Sequence, residues 1–257
     1  MTYPDLSLER QDDIAIVRLE RAAKRNALND GLILALRDTF QNLPEGVRAV
    51  VVDGAGEHFC AGLDLSELTE RDAGQGLMHS RMWHQALDGL QFGPVPVVAA
   101  LHGAVVGGGL ELACACHIRV ADSTTFYALP EGSRGIFVGG GGSVRIPKLV
   151  GVARMTDMMM TGRVYKAEEG ERAGFAQYLV PAGQATAKAV ELARRIAGNA
   201  PLTNYALMHA LPRIAEQPAD HGLFTEALMA GIAQNAPAAK ERLRDFLEGR
   251  AAKVSRD

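Results

Sequence analysis

The sequence predicts an α/β core followed by a helical C-terminal region. Short apolar runs of strand length alternate with helical patterns through most of the chain, and this alternation implies right-handed crossovers in a sheet covered by helices. After Pro201 only helical patterns remain, interrupted at Pro212 and at two later prolines. We therefore predict a core over residues 1–200 and a helical region over residues 201–257.

Spacing and composition locate the elements of the core. Asn29 is a suitable N-cap for a helix over residues 30–41, in which Leu32, Leu36 and Phe40 recur every fourth position. Strands are predicted over residues 14–19, 49–52, 95–101, 118–121 and 178–180. Helices are predicted over residues 65–68, 77–90, 111–116, 167–174 and 185–197. The polar segments at residues 72–76 and 126–142 are predicted as loops because both contain glycine.

Composition excludes several functional classes. The chain has 257 residues, of which 47% are hydrophobic and 22% charged, as is usual for a globular protein with a large core. A net charge of −3 gives no basic field that would favour nucleic acid. Three cysteines without framework spacing argue against a disulfide-stapled secreted fold. The charged N-terminus and the shortness of every apolar run argue against a signal peptide and a membrane span, so we expect a cytoplasmic protein.

The strongest chemical signal is the run of three glycines at residues 107–109. It lies between the predicted strand at 95–101 and the predicted helix at 111–116, so a ligand can approach the backbone closely. The first N–H groups of that helix lack internal partners and can hold an oxygen that becomes negative. Glu111 lies just inside the helix, and Glu131 follows twenty positions later, after a proline. Backbone donors and two carboxyl groups indicate proton transfer beside a polarised carbonyl.

Four segments in order carry a family resemblance. They are residues 21–28 (Arg-Ala-Ala-Lys-Arg-Asn-Ala-Leu), 59–65 (Phe-Cys-Ala-Gly-Leu-Asp-Leu), 103–122 (with Gly-Gly-Gly-Leu-Glu-Leu) and 246–250 (Phe-Leu-Glu-Gly-Arg). Together they resemble the crotonase superfamily, the enoyl-CoA hydratase and isomerase fold, over nearly the whole chain. The resemblance implies a ClpP-like spiral of ββα units that forms two roughly perpendicular sheets. It also implies a C-terminal helical region that builds homotrimers or homohexamers.

The same resemblance assigns roles to individual residues. The backbone N–H groups of Leu63 and Gly108 would form the oxyanion hole for an acyl-CoA thioester. Glu131 would be the main proton donor to Cα, and Glu111 would orient and activate water. This implies hydration of the 2,3-double bond of an enoyl-CoA, or the reverse. Each feature also has a structural explanation, because glycines serve tight packing corners, the helix dipole favours Glu111, and Glu131 could be an exposed loop charge.

The resemblance also suggests where CoA binds. Lys24 and Arg25 could face its phosphates, although a solvated turn is an equally good explanation of the pair. The adenine would lie near Ala61 and Asp64, mostly on backbone contacts. A C-terminal cation, Arg250 or Lys253, would reach the CoA of a neighbouring subunit.

Trp83, the only tryptophan, lies on the predicted helix at residues 77–90 and either stacks on an aromatic acyl group or belongs to the core. Cys114, Cys116 and His117 are interpreted as core residues because adjacent positions on a helix converge poorly on a metal. No metal and no organic cofactor are expected, since CoA is part of the substrate.

One loop departs from the family pattern. Where the family has Leu-Gly-x-x-Pro-Gly-x-Gly-Gly, residues 134–142 read Arg-Gly-Ile-Phe-Val-Gly-Gly-Gly-Gly. Arg134 and Phe137 would alter the loop under the acyl pocket, so a standard straight-chain substrate is less expected. Three other functions stay open: a CoA-thioester hydrolase, a double-bond isomerase, and an inactive acyl-CoA-binding scaffold.

Overall fold

The structure, a computed structural model, describes residues 3–67 and 70–250, and the chain divides into two compact units after Ala197. The strands of the first unit are β1 (Leu6–Gln11), β2 (Ile14–Leu19), β3 (Ala49–Gly54), β4 (Val97–Leu101), β5 (Ala104–Val106), β6 (Ile118–Asp122), β7 (Phe126–Ala128), β8 (Tyr165–Lys166) and β9 (Tyr178–Val180). Its helices are α1 (Asp30–Gln41), α2 (Ala73–Gln91), α3 (Gly108–Ala115), α4 (Gly142–Val150), α5 (Val152–Thr161), α6 (Ala167–Ala173) and α7 (Ala185–Ala197). Short 3₁₀ helices cover Ala22–Lys24, Leu65–Glu67 and Gly132–Arg134.

Two sheets organise this unit. The larger has the strand order β1-β2-β3-β4-β6-β9 and is parallel except for the antiparallel pair β1–β2. The smaller has the order β5-β7-β8. The central strands are buried on both faces, which explains their continuous apolar runs. The prediction of an α/β core followed by helices is confirmed.

Alternation along the strands separates two apolar layers. Val50 and Val52 of β3 join a large cluster with α1, α2 and α3, whereas Ala49 and Val51 face α7. On α7 the side chains that fill this second layer are mostly alanines, such as Ala189, and the helix therefore packs closely on the sheet. The first layer lies under the cavity described below.

The structure differs from the predicted elements in three places, each for an identifiable reason. Residues 72–76 are not a loop, because Asp72 caps α2: its side chain accepts from Gln75 N–H (2.8 Å) and the Gln75 side chain accepts from Asp72 N–H (3.1 Å). Residues 126–142 contain β7 and a 3₁₀ helix and end where α4 begins. The edge strand β1 was not predicted, since Leu6 is its only buried residue.

The second unit, residues 198–257, is helical as far as it is described. Its elements are α8 (Pro201–Tyr205), a π-helical turn (Ala206–Ala210), α9 (Leu211–Ile214), α10 (Ala219–Asn235) and α11 (Pro237–Leu247). The predicted interruption at Pro212 is wrong. The backbone passes it through the π turn, in which the N–H of Leu211 donates to the carbonyl of Ala206. A wider turn of this kind relieves the clash that proline causes inside an α-helix.

Large apolar side chains stay exposed on α10 and α11. They are Leu223, Phe224, Leu228, Ile232, Leu243, Phe246 and Leu247. Exposed apolar surface of this kind is typical of subunit interfaces, so the predicted oligomerisation through this region stays a prediction. Within the described part of the chain, no helix has the length and apolar character needed to cross a bilayer.

Asn26 ties together the segments that precede the cavity. Its side chain is fully buried, accepts from Arg21 N–H (2.9 Å), and donates to the carbonyls of Ala55 (2.9 Å) and His58 (2.7 Å). Its φ of 55° lies in the left-handed region, which asparagine tolerates better than most residues. Asn26 of the first signature segment is therefore structural.

We expect Asn26→Ala to lower the free energy of unfolding by about 2–4 kcal/mol, because buried carbonyls and an N–H lose their partners. Urea denaturation at fixed protein concentration measures the loss. Asn42→Ala is the control, because exposed Asn42 makes one side-chain hydrogen bond, to the carbonyl of Asp38, and should lose less than about 1 kcal/mol. Equal losses would contradict the role given to Asn26.

Candidate active site

A cavity of about 360 Å³ opens between the turn before α3, the helix α2 and the loop after β7. Its size suits a small organic ligand. The lining includes Ala61, Gly62, Leu63, Leu65, Arg71, His79, Ser80, Trp83, Gly107, Gly108, Glu111, Glu131, Arg134, Ile136, Phe137, Val138, Gly139 and Gly140. Both candidate acids and both residues of the candidate oxyanion hole therefore line one cavity.

The glycine turn between β5 and α3 allows this convergence. Gly107 has φ 53° and ψ −122°, a conformation that a side chain would disfavour. A Cβ on Gly109 would lie 2.3 Å from the carbonyl oxygen of Cys60, and one on Gly62 would lie 2.6 Å from that of Val106. Glycine is thus required on both sides of this contact, where two backbone segments pack directly on each other.

The N–H groups of Leu63 and Gly108 lie on these two segments. A Cβ on Gly62 would be 3.2 Å from the Gly108 nitrogen, which shows how close the segments are. Among the described residues, neither N–H donates a hydrogen bond to a protein acceptor. Gly108 is the first residue of α3, so its N–H also belongs to the positive end of that helix. The pair can therefore receive an oxygen that gains negative charge.

Glu111, in the first turn of α3, is buried and firmly oriented. Its Oε1 accepts from the N–H groups of Gly140 (2.8 Å) and Gly142 (2.7 Å). Burial raises the pKa of Glu111, while these backbone hydrogen bonds and the charge of Arg145 oppose the rise. A Cβ on Gly142 would lie 2.8 Å from Oε1, so glycine is needed there for the carboxyl group to reach its donors.

Arg145, on α4, holds the glycine loop in place and was not identified from the sequence. Its Nη1 donates to the carbonyl of Gly140 (2.9 Å), its Nε to Oε1 of Gln91 (2.7 Å) and its Nη2 to Oδ1 of Asp88 (2.6 Å). Ser80 donates to the carbonyl of Gly139. These bonds fix the loop to α2. The sequence shows only an arginine shortly after four consecutive glycines, and this pattern does not indicate which groups the arginine binds.

Glu131 precedes the 3₁₀ helix and is only 7% exposed. Its Oε2 is buried and has no hydrogen-bond partner among the described residues. Burial raises the pKa of Glu131 and the nearby charge of Glu111 raises it further, while a backbone hydrogen bond of Glu131 itself and the charge of Arg134 oppose the rise. Two N–H groups stabilise the Glu111 anion, whereas Glu131 Oε2 has no partner among the described residues, and we therefore assign the first proton shared by the pair to Glu131.

Trp83 and Ala61 also line the cavity, as predicted for substrate contacts. Trp83 is 4% exposed, and its ring packs so closely that Cβ atoms on Gly108 and Gly140 would lie 2.9 and 3.1 Å from it. The residue therefore belongs both to the cavity wall and to the core, and its proposed stacking on an acyl group stays a prediction.

Lys24, Arg25 and Asp64 are not among the cavity-lining residues. Asp64 is buried; its Oδ1 accepts from the Ser66 hydroxyl (2.6 Å) and its Oδ2 from Arg21 (2.9 Å). The Ser66 hydrogen bond is the main reason why the pKa of Asp64 is lowered to about 2. Lys24 is exposed, 4.0 Å from Asp64, whereas the Arg25 carbonyl accepts from Ala61 N–H. These residues border the bend at Ala61, and their contact with CoA stays a prediction.

Arg250 lies in the second unit, where it is exposed and pairs with Asp245 (2.6 Å) and Glu248. The predicted contact of Arg250 with CoA of another subunit stays a prediction, and Lys253 lies outside the described residues. Cys114 and Cys116 are buried, and burial raises the pKa of both thiols, to about 11 and about 12. Within the described ranges, no group of three or more histidine, cysteine or acidic side chains is arranged to hold a metal.

Known proteins resemble this chain in sequence and fold. A family model for enoyl-CoA hydratase/isomerase matches residues 9–256. The chain is 30% identical to Enoyl-CoA hydratase EchA19 of Mycobacterium tuberculosis, over 96% of this chain and 95% of that protein. It is 30% identical to the short-chain-enoyl-CoA hydratase of Clostridium acetobutylicum, over 97% of each. A crystal structure from Rhodopseudomonas palustris matches with a TM-score of 0.94 at 59% identity, over 97% of both chains.

The raised pKa of Glu131 gives a test that does not need an activity. Between the unfolded value, about 4.3, and the higher folded value, the folded state binds more protons than the unfolded state. Its stability therefore falls as pH rises through that window. Glutamine does not titrate, so the free energy of unfolding of Glu131→Gln, relative to wild type, should increase with pH above about 4.3.

Urea denaturation across this pH range, at fixed protein concentration, measures the difference. Glu168→Gln is the matched control, because Glu168 is exposed in the first turn of α6 and its exchange should give no comparable gain. Parallel stability curves for wild type and Glu131→Gln would show that burial does not disfavour the carboxylate.

Proposed function

Because this chain belongs to the enoyl-CoA hydratase/isomerase family, we propose that it adds water across the 2,3-double bond of an enoyl-CoA thioester or catalyses the reverse dehydration. The observation that supports this most directly is the convergence of Glu111 and Glu131 on the cavity that also receives the N–H groups of Leu63 and Gly108. The proposal needs no metal or organic cofactor.

The backbone donors would act on the thioester oxygen. When water attacks Cβ, charge moves through the conjugated system to that oxygen, which becomes enolate-like. The N–H groups of Leu63 and Gly108 are fixed before the reaction by the glycine packing described above, so no reorganisation is needed as the charge develops. Loss of one such donor typically removes about 3 kcal/mol of transition-state stabilisation.

The two carboxyl groups would transfer the protons. Glu111, ionised and held by two N–H groups, accepts a proton from water as the water oxygen bonds to Cβ. Glu131, protonated, gives its proton to Cα as the enolate collapses. The cycle leaves one proton on the pair, now on Glu111, and its transfer back to Glu131 restores the starting state. Both groups thus use a pKa raised by burial.

Hydrolysis and isomerisation could use the same parts, because the N–H pair would also stabilise a tetrahedral oxyanion or a dienolate. Hydration is preferred because two buried carboxyl groups of unequal hydrogen bonding match its two proton transfers. An inactive scaffold is disfavoured for the same reason. We also propose that the protein is cytoplasmic. A further proposal is that it forms homotrimers or homohexamers, and the exposed apolar side chains of α10 and α11 support such an assembly.

Glu131→Gln should lower kcat for hydration about 10²- to 10⁴-fold, with KM nearly unchanged, because glutamine cannot donate the proton. Loss of the conjugated enoyl-thioester absorbance reports the reaction, with straight-chain, branched and aromatic 2-enoyl-CoA substrates. Glu168→Gln serves again as the control and should keep wild-type activity.

Each alternative leaves a different signature in this assay. Full activity of Glu131→Gln would remove the mechanism. Release of free thiol without hydration would identify a hydrolase, and migration of the double bond an isomerase. Tight binding of the substrates without turnover would identify a scaffold.

Gly142→Ala tests the orientation of Glu111. A Cβ there would lie 2.8 Å from both Cγ and Oε1 of Glu111, so the carboxyl group must leave its donors. We expect kcat to fall about 10- to 100-fold, since small displacements of catalytic groups have effects of this size. Gly231→Ala on α10, where a Cβ meets open space, is the control. Unchanged kcat in Gly142→Ala would contradict the role given to the loop.

A further inference from the structure

Arg134 is a cavity-lining cation that the proposed chemistry does not use. It is exposed at the end of the 3₁₀ helix Gly132–Arg134 and lines the cavity together with Glu131. Within residues 3–67 and 70–250, its guanidinium forms no hydrogen bond or ion pair. It stands where the family pattern quoted above has leucine.

Local geometry directs Arg134 towards the cavity. The N–H groups of Arg134 and Ile136 both donate to the carbonyl of Glu131 (3.0 and 3.1 Å), and Gly135 closes the turn at φ 68°. In a 3₁₀ turn, side chains three positions apart lie over each other. Glu131 and Arg134 therefore share one face, and that face is the cavity wall.

This placement opposes the proposed reaction when the cavity is empty. The Arg134 charge favours the anion of Glu131 and so lowers the pKa that burial raises, although the acid must keep its proton. A substrate anion paired with the guanidinium would cancel this effect. A substrate that brings such an anion therefore suits this position.

The surroundings fit an acyl chain that ends in a charge. Arg71 lines the same cavity and lies 4.0 Å from Oδ2 of Asp30, whose Oδ1 lies 2.7 Å from His79. The lining also contains three exposed apolar residues, Leu65, Ile136 and Phe137.

We propose that the acyl group of the substrate ends in a carboxylate, which Arg134 binds in a bidentate manner with Arg71 nearby. The inference rests on the proposed function and names its substrate class: the 2-enoyl-CoA thioesters of dicarboxylic acids. The methylene chain crosses the apolar lining, and the terminal carboxylate meets the guanidinium.

Two substrates of equal chain length test this: a 2-enoyl-CoA with a terminal carboxylate and its terminal methyl ester. Wild type should hydrate the acid with the higher kcat/KM. Arg134→Met, which keeps the length of the side chain, should lower kcat/KM for the acid about 10- to 100-fold, the usual effect of losing a charged hydrogen bond. The same substitution should leave kcat/KM for the ester unaffected at neutral pH. It should shift the alkaline limb of the pH–rate profile for the ester to higher pH, because the pKa of Glu131 rises when the Arg134 charge is removed.

Arg134→Lys should recover part of the activity with the acid, because one charge returns without the planar fork. Arg195→Met is the matched control, since Arg195 lies on α7 with its side chain 75% exposed. Equal losses with acid and ester in Arg134→Met would mean that Arg134 acts on the part that the two substrates share, such as CoA, and would overturn the inference. So would a wild-type preference for the ester.

Binding separates this inference from the proposed function. Calorimetric titration with the saturated acid and ester analogues should give a lower Kd for the acid, and Arg134→Met should abolish the difference. If that preference is seen but neither enoyl substrate is hydrated, the anion site stands and the hydratase proposal fails. If hydration occurs but the binding preference is absent, the hydratase proposal stands and the anion site fails.

Discussion

Direct packing of backbone on backbone at the turn between β5 and α3 is the constraint on which the site depends. Any side chain on Gly109 or Gly62 would collide with a carbonyl oxygen of the facing segment. Because those positions are glycine, the segment ending at Leu63 lies against the start of α3, and two unpaired N–H groups reach the same cavity. The donors are therefore products of packing, and they need no particular side chain at position 63.

Unequal hydrogen bonding gives the two carboxyl groups different properties. Burial alone would raise both pKa values similarly and would leave the site of the proton undecided. The N–H groups of Gly140 and Gly142 stabilise the anion of Glu111, while Glu131 has a buried oxygen without a partner. The clamp made by Arg145 maintains this difference, because it holds the loop that carries the donors.

The sequence predicted what depends on local pattern. The cap at Asn29, the strands of the parallel sheet and the glycine turn with Glu111 all have short-range signals, and the structure contains them. The residues of the capping box at Asp72 are present in the sequence. Glycines at 74 and 76 favour a loop there, and they conceal the start of the helix. The clamp of Arg145 was not predictable, since its side-chain partners Gln91 and Asp88 lie more than fifty positions away on α2.

Interactions over long distances in the chain also explain the remaining differences. Arg21 and Asn26 carry the family signature, but their hydrogen bonds are internal, with Asp64 and with the segment at residues 55–58. Spacing alone cannot distinguish a side chain that shapes a ligand site from one that contacts the ligand. Hydrogen-bond partners can, and they assign these polar groups to the support of the backbone at Ala61.

Because the candidate oxyanion donors and the orientation of Glu111 come from backbone groups, the cavity wall can vary without disturbing them. The clamp holds Gly139 and Gly140, whereas Ile136 and Phe137 are 40% and 70% exposed. A change at Ile136 or Phe137 therefore alters what the acyl group meets while the donors of Glu111 stay fixed. Arg134 differs, because it shares a turn with Glu131 and its charge acts on that carboxyl group. At this one position, the choice of substrate and the protonation of the acid are coupled by electrostatics.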